Sequence, residues 1–276
     1  MKNLFKVEAI KAINYPTFWA ILLLHALFYV LVVTLGANID LNIQGINVFR
    51  LFSSNYMWGT MAWIASWFNL LLAILVIVLT GNELTYNTFR RQLLDGLNRD
   101  HLIVGKLITI ASLSLYVVLL VAISGLIVGL TNTEPEPVQV QFFHGFQYVL
   151  ILGIQSLAYM ALAVFIALLF RNMALSIVMY LLYFILIEPF IRLFFSSNID
   201  SFFPIKIISN LTPTPDFLGM LGVNLADIQA MDPNSTYQIQ HSATEGISLP
   251  ISIAVCGGYI VLFLVASRLI VKYRDL

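Results

Sequence analysis

Six apolar stretches, each long enough to cross a lipid bilayer as a helix, constrain this chain more than anything else in it. They run over 18–36, 62–80, 107–130, 146–170, 173–195 and 249–270. A bilayer core takes about 20 residues of apolar helix. Inside lipid, a backbone that spans must satisfy its own hydrogen bonds, which leaves helices or a closed barrel. Runs of this length and composition select the helix. Of the 276 residues 60% are hydrophobic and only 10% charged, against about 25% charged in a soluble domain. The sequence predicts an all-α integral membrane protein with six spans.

The spans carry the punctuation expected of helices at a membrane. Pro16 suits the first turn of the first span. Tyr15 and Trp19 stand at one of its ends, and Tyr56, Trp58 and Trp63 flank the second span, as interfacial aromatics do. A signal peptide is the alternative for the first span, because Lys2, Lys6 and Lys11 precede it. Its apolar run exceeds an h-region of about 7–15 residues, and Leu35-Gly36-Ala37 makes a poor cleavage site.

An even number of spans returns both ends of the chain to one side. Lys2, Lys6, Lys11, Arg90, Arg91, Arg99, Lys106, Arg171, Arg268, Lys272 and Arg274 fall on that side. Arg50, Arg192 and Lys206 fall on the other. The positive-inside rule makes the first side cytoplasmic. Met1 to Tyr15, with Leu4, Val7, Ile10 and Ile13 three apart, reads as a basic interfacial helix on the inner surface. Arg171-Asn172 joins the fourth and fifth spans as a tight inner hairpin, and 196–248 is a long extracytoplasmic segment with apolar stretches at 202–208 and 217–225.

The segment 82–107, NELTYNTFRRQLLDGLNRDHLIVGKL, lies between the second and third spans and is the most polar long stretch. From Glu83 to Leu97, Tyr86, Phe89, Leu93 and Leu97 form one stripe of a helix. Gly96 can end that helix and Asn98 can cap a second, which would run through Gly105-Lys106 into the third span. A solvated loop carrying positive-inside charge is the alternative. It accounts for the arginines but not for the stripe or the turn residues.

Other polar residues weigh less. Glu188 and Arg192 stand four apart near the outer end of the fifth span, the spacing of an ion pair. They are candidates for a gate or substrate contact. The simpler reading is a span that ends near Ile187, before Pro189. Ser66, Asn69, Tyr180 and Tyr183 are candidates to line a pathway, but polar side chains within spans more often join helices, and Gln155 and Ser156 fall under the same rule. The lone Cys256 forms no disulfide within the chain. His25, His101, His144 and His241 are scattered, so neither a metal site nor a catalytic set is expected, and nothing points to nucleic acid.

The segment 82–107 resembles the cytoplasmic loop of ABC-2 type transporter permeases. The matching residues are Glu83, Thr88, Arg90-Arg91, Leu93-Leu94, Asp95-Gly96, Arg99 and Gly105-Lys106. It differs in having Asn87 where a glycine often stands and Gly96-Leu97 where a proline is common. The order of the other elements resembles that family over the whole chain. The resemblance implies a membrane subunit of an ABC exporter in the bacterial inner membrane, with both termini cytoplasmic. The loop would be a coupling helix docking on a cytoplasmic ATPase subunit. Tyr86, Phe89 and Leu93 would anchor it, and Glu83, Arg90, Arg91 and Arg99 would orient it. ATP and Mg²⁺ would be bound by that partner: the only Gly-Lys here, Gly105-Lys106, lacks the rest of a P-loop. A second copy or a homologous permease would complete the pathway. An ion-gradient-driven secondary transporter or channel is the alternative. It usually places ionisable residues mid-span, where this chain has almost none. An intramembrane enzyme would need a convergent set of catalytic residues, and none is seen.

Thiol labelling of intact cells in a Cys256→Ser background checks the orientation. Ser235→Cys is expected to react with an impermeant reagent at once, and Gly96→Cys only after permeabilisation; the opposite pattern inverts the topology.

Overall fold

A computed structural model describes residues 2–38, 41–43, 46–48, 57–86, 88–94, 96–131, 145–212 and 247–273. The expected apolar stretch at 217–225 lies outside these residues, as do Asn87 and Asp95. Helix α1 (Lys2–Ile13) leads into α2 (Pro16–Asn38), and the hairpin β1 (Leu41–Ile43) and β2 (Ile46–Val48) pairs antiparallel with Asn42 opposite Asn47. Then come α3 (Met57–Thr85), α4 (Thr88–Leu94), α5 (Arg99–Thr131) and α6 (Gln147–Phe170). The fifth apolar segment is α7 (Met173–Leu182), a π turn over Tyr183–Ile187, and α8 (Glu188–Arg192). Two short helices, α9 (Ser197–Asp200) and α10 (Pro204–Ser209), precede α11 (Leu249–Tyr273). Among the described residues, six helical segments are long and apolar enough to cross a membrane. The all-α class therefore stands, and the protein is a multi-pass membrane protein.

Helix α6 is the centre of the bundle, packed against α3, α5 and α11. Its sequence explains why. Gly153, Ala158, Ala161, Ala163 and Ala167 are all buried, and small residues let helix backbones approach where no hydrophobic force separates lipid from core. A Cβ on Gly153 would stand 2.8 Å from Val118, and one on Gly125 of α5 would stand 2.3 Å from the Trp58 ring. Trp58 also meets Phe146 edge to face at 5.2 Å. Helices α2 and α11 leave much of their apolar surface uncovered, as lipid-facing helices do.

Several polar groups inside the bundle find partners across helices, whereas the buried Tyr180 hydroxyl has none among the described residues. The Ser156 hydroxyl donates to Asn69 Oδ1 at 2.8 Å, joining α6 to α3. Ser114 donates to the Gly153 carbonyl at 2.7 Å, and Tyr29 and Ser124 share a hydrogen bond at 2.8 Å. Of the pathway candidates, Asn69 and Tyr180 are thus buried between helices, while Tyr183 is partly buried within the π turn. Arg171 adopts a left-handed φ of 55°, and Asn172 caps α7 by accepting from the Leu175 amide at 3.1 Å. Those two residues make the expected tight reversal.

The fifth segment corrects one expectation. The chain does not leave helical geometry at Ile187, and Glu188 does not pair with Arg192 four residues on. The π turn carries the helix past Pro189 to Arg192. Proline offers no amide to the preceding turn, and a widened turn absorbs the misfit. The Glu188 carboxylate is buried and accepts from the Ile205 and Lys206 amides at 2.9 Å each. Arg192 bonds Asp200 instead. Two backbone donors at the start of a helix give a buried carboxylate charge-assisted hydrogen bonds.

The close approaches make a test by single methyl groups. Gly125→Ala and Gly153→Ala are each expected to lose about 1–3 kcal/mol through overpacking. Gly258→Ala meets open space and is expected to be neutral. Thermal unfolding of the three variants in detergent measures the contrast, and equal melting curves would refute the packing at α6.

Candidate functional site

The polar segment between the second and third spans folds as two helices divided by a short break. Helix α3 continues to Thr85, well beyond its apolar run, and the Thr88 hydroxyl donates to the Glu83 carbonyl at 3.0 Å to tie off its end. Helix α4 follows at once. It ends at Gly96, whose φ of 92° is left-handed. There the Leu97 amide donates to the Gln92 carbonyl at 3.0 Å and the Gly96 amide to Leu93 at 3.2 Å, the bonds of a Schellman turn. Helix α5 begins at Arg99, directly after Asn98. The expected single helix from Glu83 to Leu97 is therefore two, the first ending at Thr85 and the second beginning at Thr88.

Four charged side chains meet beneath this segment. Lys106 on α5 lies 2.7 Å from Glu83 Oε2 and 3.4 Å from Glu8 Oε2. Lys11 on α1 lies 3.3 Å from Glu83 Oε1 and 2.6 Å from Glu8 Oε1. Each carboxylate thus gives one oxygen to each lysine, and the four charges alternate around a closed ring that sums to zero. The Thr109 hydroxyl reaches Glu8 Oε2 at 3.2 Å. Gly105 admits α1 to this position: a Cβ there would stand 3.2 Å from the Glu8 side chain. Lys106 is only 3% exposed. A buried charge is tolerable when its partners and hydrogen bonds are complete, and breaking one partner away is costly. Burial alone would raise the Glu8 carboxyl, but Lys106 and Lys11 together outweigh it and hold Glu8 below its ordinary value.

The ring is also a seat. Phe89 of α4 is 2% exposed and lies with its ring centroid 5.7 Å from the Lys106 ammonium, a cation–π contact. The apolar stripe read from the sequence is therefore split. Phe89 faces the bundle and Leu93 packs against the core. Tyr86 is 67% and Leu94 79% exposed, and Arg91 is exposed. Arg90 lies on the same short helix. Glu83 is buried in the ring, and Arg99 donates to the carbonyls of Val271 and Lys272 at the end of α11. Glu83, Phe89 and Arg99 thus serve inside the chain, while Tyr86, Arg91 and Leu94 face outward.

Sequence reasoning missed Glu8. Its spacing of three from Lys11 was the one local signal. On α1, Val7, Ile10 and Ile13 stay exposed, while Glu8 and Lys11 turn inward. The Trp19 indole donates to the Ile13 carbonyl at 2.8 Å and closes the corner into α2. The remaining gate candidates, Glu188 and Arg192, lie at the other end of the bundle and take no part in this site.

Lys106→Met is expected to cost about 3–5 kcal/mol, because it leaves two carboxylates sharing Lys11 alone. Adding Glu83→Gln rebalances the charge and is expected to recover most of that loss, read as folded yield and as protection of α1 from protease. Equal damage in single and double variants would refute the alternating ring. The depressed Glu8 carboxyl also fixes a pH dependence. Its contribution is complete above the ordinary value of 4.5 and is lost as pH falls below that through the native value. Protease cleavage of α1 is expected to rise over that window, and less so in Glu8→Gln.

No curated protein matches the chain. A family model described as "ABC-2 family transporter protein" does, over residues 4–187. That stretch takes in nearly all of α1, the first four spanning helices, the polar segment between the second and third of them with its ion ring, and the fifth span as far as its π turn. It covers well over half of the 276 residues, and the chain therefore belongs to the ABC-2 family of transporter proteins, as a membrane permease.

Proposed function

We propose that this permease is the membrane-spanning subunit of an ATP-driven exporter in the bacterial inner membrane, coupled to a separate cytoplasmic ATPase through α4. ATP and Mg²⁺ are bound by that partner. Two permeases, two copies or one with a homologue, enclose the pathway. The observation that carries the reading is the form of α4. It is a short helix between two spans, seated by Phe89 on a buried neutral ring, with Tyr86, Arg91 and Leu94 left uncovered. Exposed aromatic and arginine residues on a rigid support are what a protein partner uses as anchors. Eleven of the 14 basic residues fall on the same side by the order of the spans, which supports a cytoplasmic position. The ion-gradient alternative would use Glu188, the buried carboxylate of the fifth segment, but two backbone amides already occupy that group.

Docking and seating separate in a pair of variants. Tyr86→Ala with Leu94→Ala removes outward-facing apolar surface and is expected to weaken ATPase capture by about 2 kcal/mol, some thirty-fold. Insertion and folded yield are expected to stay at the wild-type level. Phe89→Ala empties the seat, and is expected to lower folded yield as well as capture. Wild-type ATPase recovery and export in the Tyr86/Leu94 variant, at equal membrane abundance, would overturn the coupling role of α4.

A further inference from the structure

The first turn of α5 grips the last turns of α11. Asp100 and Arg268 form a parallel two-point ion pair, Nε to Oδ1 at 2.7 Å and Nη2 to Oδ2 at 2.7 Å. Arg99 donates to the Val271 carbonyl at 3.0 Å and to the Lys272 carbonyl. These are terminal carbonyls of α11, which its own helix leaves without amide donors, and a cation there also suits the helix dipole. Only 95–98 separate this grip from α4.

Helix α11 reaches the other end of the bundle. It runs along α6, and its Tyr259 hydroxyl donates to the Phe202 carbonyl at 2.8 Å, between α9 and α10. Helix α10 also packs against α11 and is held by Glu188 and by Gln155, whose Nε2 donates to the Ile208 carbonyl at 2.9 Å. A route of hydrogen bonds and packing contacts thus leads from α4 through α5 and α11 to α10. An exposed ion pair contributes little to folding stability. Asp100 and Arg268 are both more than half exposed, but their two-point geometry adds fixed orientation to attraction, and Arg99 holds the same helix end beside them.

We propose that Arg99, Asp100 and Arg268 are positioning residues that pass movement of α4 to the sixth span, α11, and through it to α10 at the opposite end. The inference rests on the coupling reading above. It makes α11 the output arm of the coupling segment, with the clamp as its joint.

The test uses the full permease–ATPase complex in lipid nanodiscs, with Cys256→Ser and a reporter thiol, Ser209→Cys, on the exposed side of α10. The reaction rate of that thiol with a maleimide is measured with and without MgATP trapped by vanadate. Trapping is expected to change the rate by about fivefold or more in the parent, in the range of ordinary allosteric coupling. Asp100→Arg and Arg268→Asp are each expected to abolish the change with ATPase recovery intact, and the double swap to restore at least half of it. Arg99→Met is expected to shrink it. A full nucleotide response in both single reversals overturns the clamp. So does a parent complex that holds its ATPase but shows no response at Ser209→Cys. Loss of ATPase recovery from the parent itself strikes instead at the coupling reading on which the clamp rests.

Discussion

The ammonium of Lys106 is the charge around which this end of the protein is built. It sits where water does not reach, on the helix that enters the bundle as the third span. Such a charge stays ionised only if opposite charge surrounds it. Glu83 and Glu8 supply it, and Lys11 neutralises the surplus they bring. Each member of the ring comes with an element attached. Glu83 fixes the end of α3, Lys106 the start of α5, and Glu8 with Lys11 fix α1. The contact between Glu83 and Lys106 closes the intervening segment at its base, so α4 is held on a short, staked loop rather than a free one.

The opposite end solves the same problem with backbone groups. Glu188 is buried there, and the Ile205 and Lys206 amides that open α10 take its oxygens. Gln155, buried on α6, takes the Ile208 carbonyl at the other end of α10. A six-residue helix folded back against spanning helices leaves both of its termini unsatisfied. Each terminus here is met by a buried side chain from a different span. The π turn at Tyr183–Ile187 belongs to the same arrangement, since it carries the segment past Pro189 as helix and leaves Glu188 directed at α10.

What could be read from the sequence follows from the range of each interaction. The spans were legible because apolar content over twenty residues is a local property and lipid enforces it. The reversal at Arg171-Asn172 and the stop at Gly96 were legible because turn chemistry is local too. The stripe of Tyr86, Phe89 and Leu93 was legible as apolar spacing, but not as a surface. Tyr86 follows the end of α3 at Thr85 while Phe89 lies on α4, so the first faces out and the second in. Glu188 and Arg192 misled because their spacing fits a helical pair, while Arg192 bonds Asp200 of α9 and Glu188 takes two amides of α10 together with Tyr183 of its own segment. Glu8 was invisible for the same reason. Its carboxylate is defined by Lys106, 98 residues away, and no periodicity carries that distance.

The size of α4 ties the ring to any partner that docks on it. A seven-residue helix does not hold its shape in water, because nucleation costs more than so few bonds return. Helix α4 therefore persists through what holds it: Phe89 against Lys106 on its inner face and the turn at Gly96 behind it. Its outer face exists as an ordered surface only while the inner face is seated. Seating and docking are then a single equilibrium viewed from two sides. A partner that binds the outer face must stabilise the ring beneath by the same free energy with which the ring favours that partner. Nucleotide-driven movement of such a partner would reach the spans first through Glu83, Lys106 and the start of α5, because those are the groups on which α4 stands.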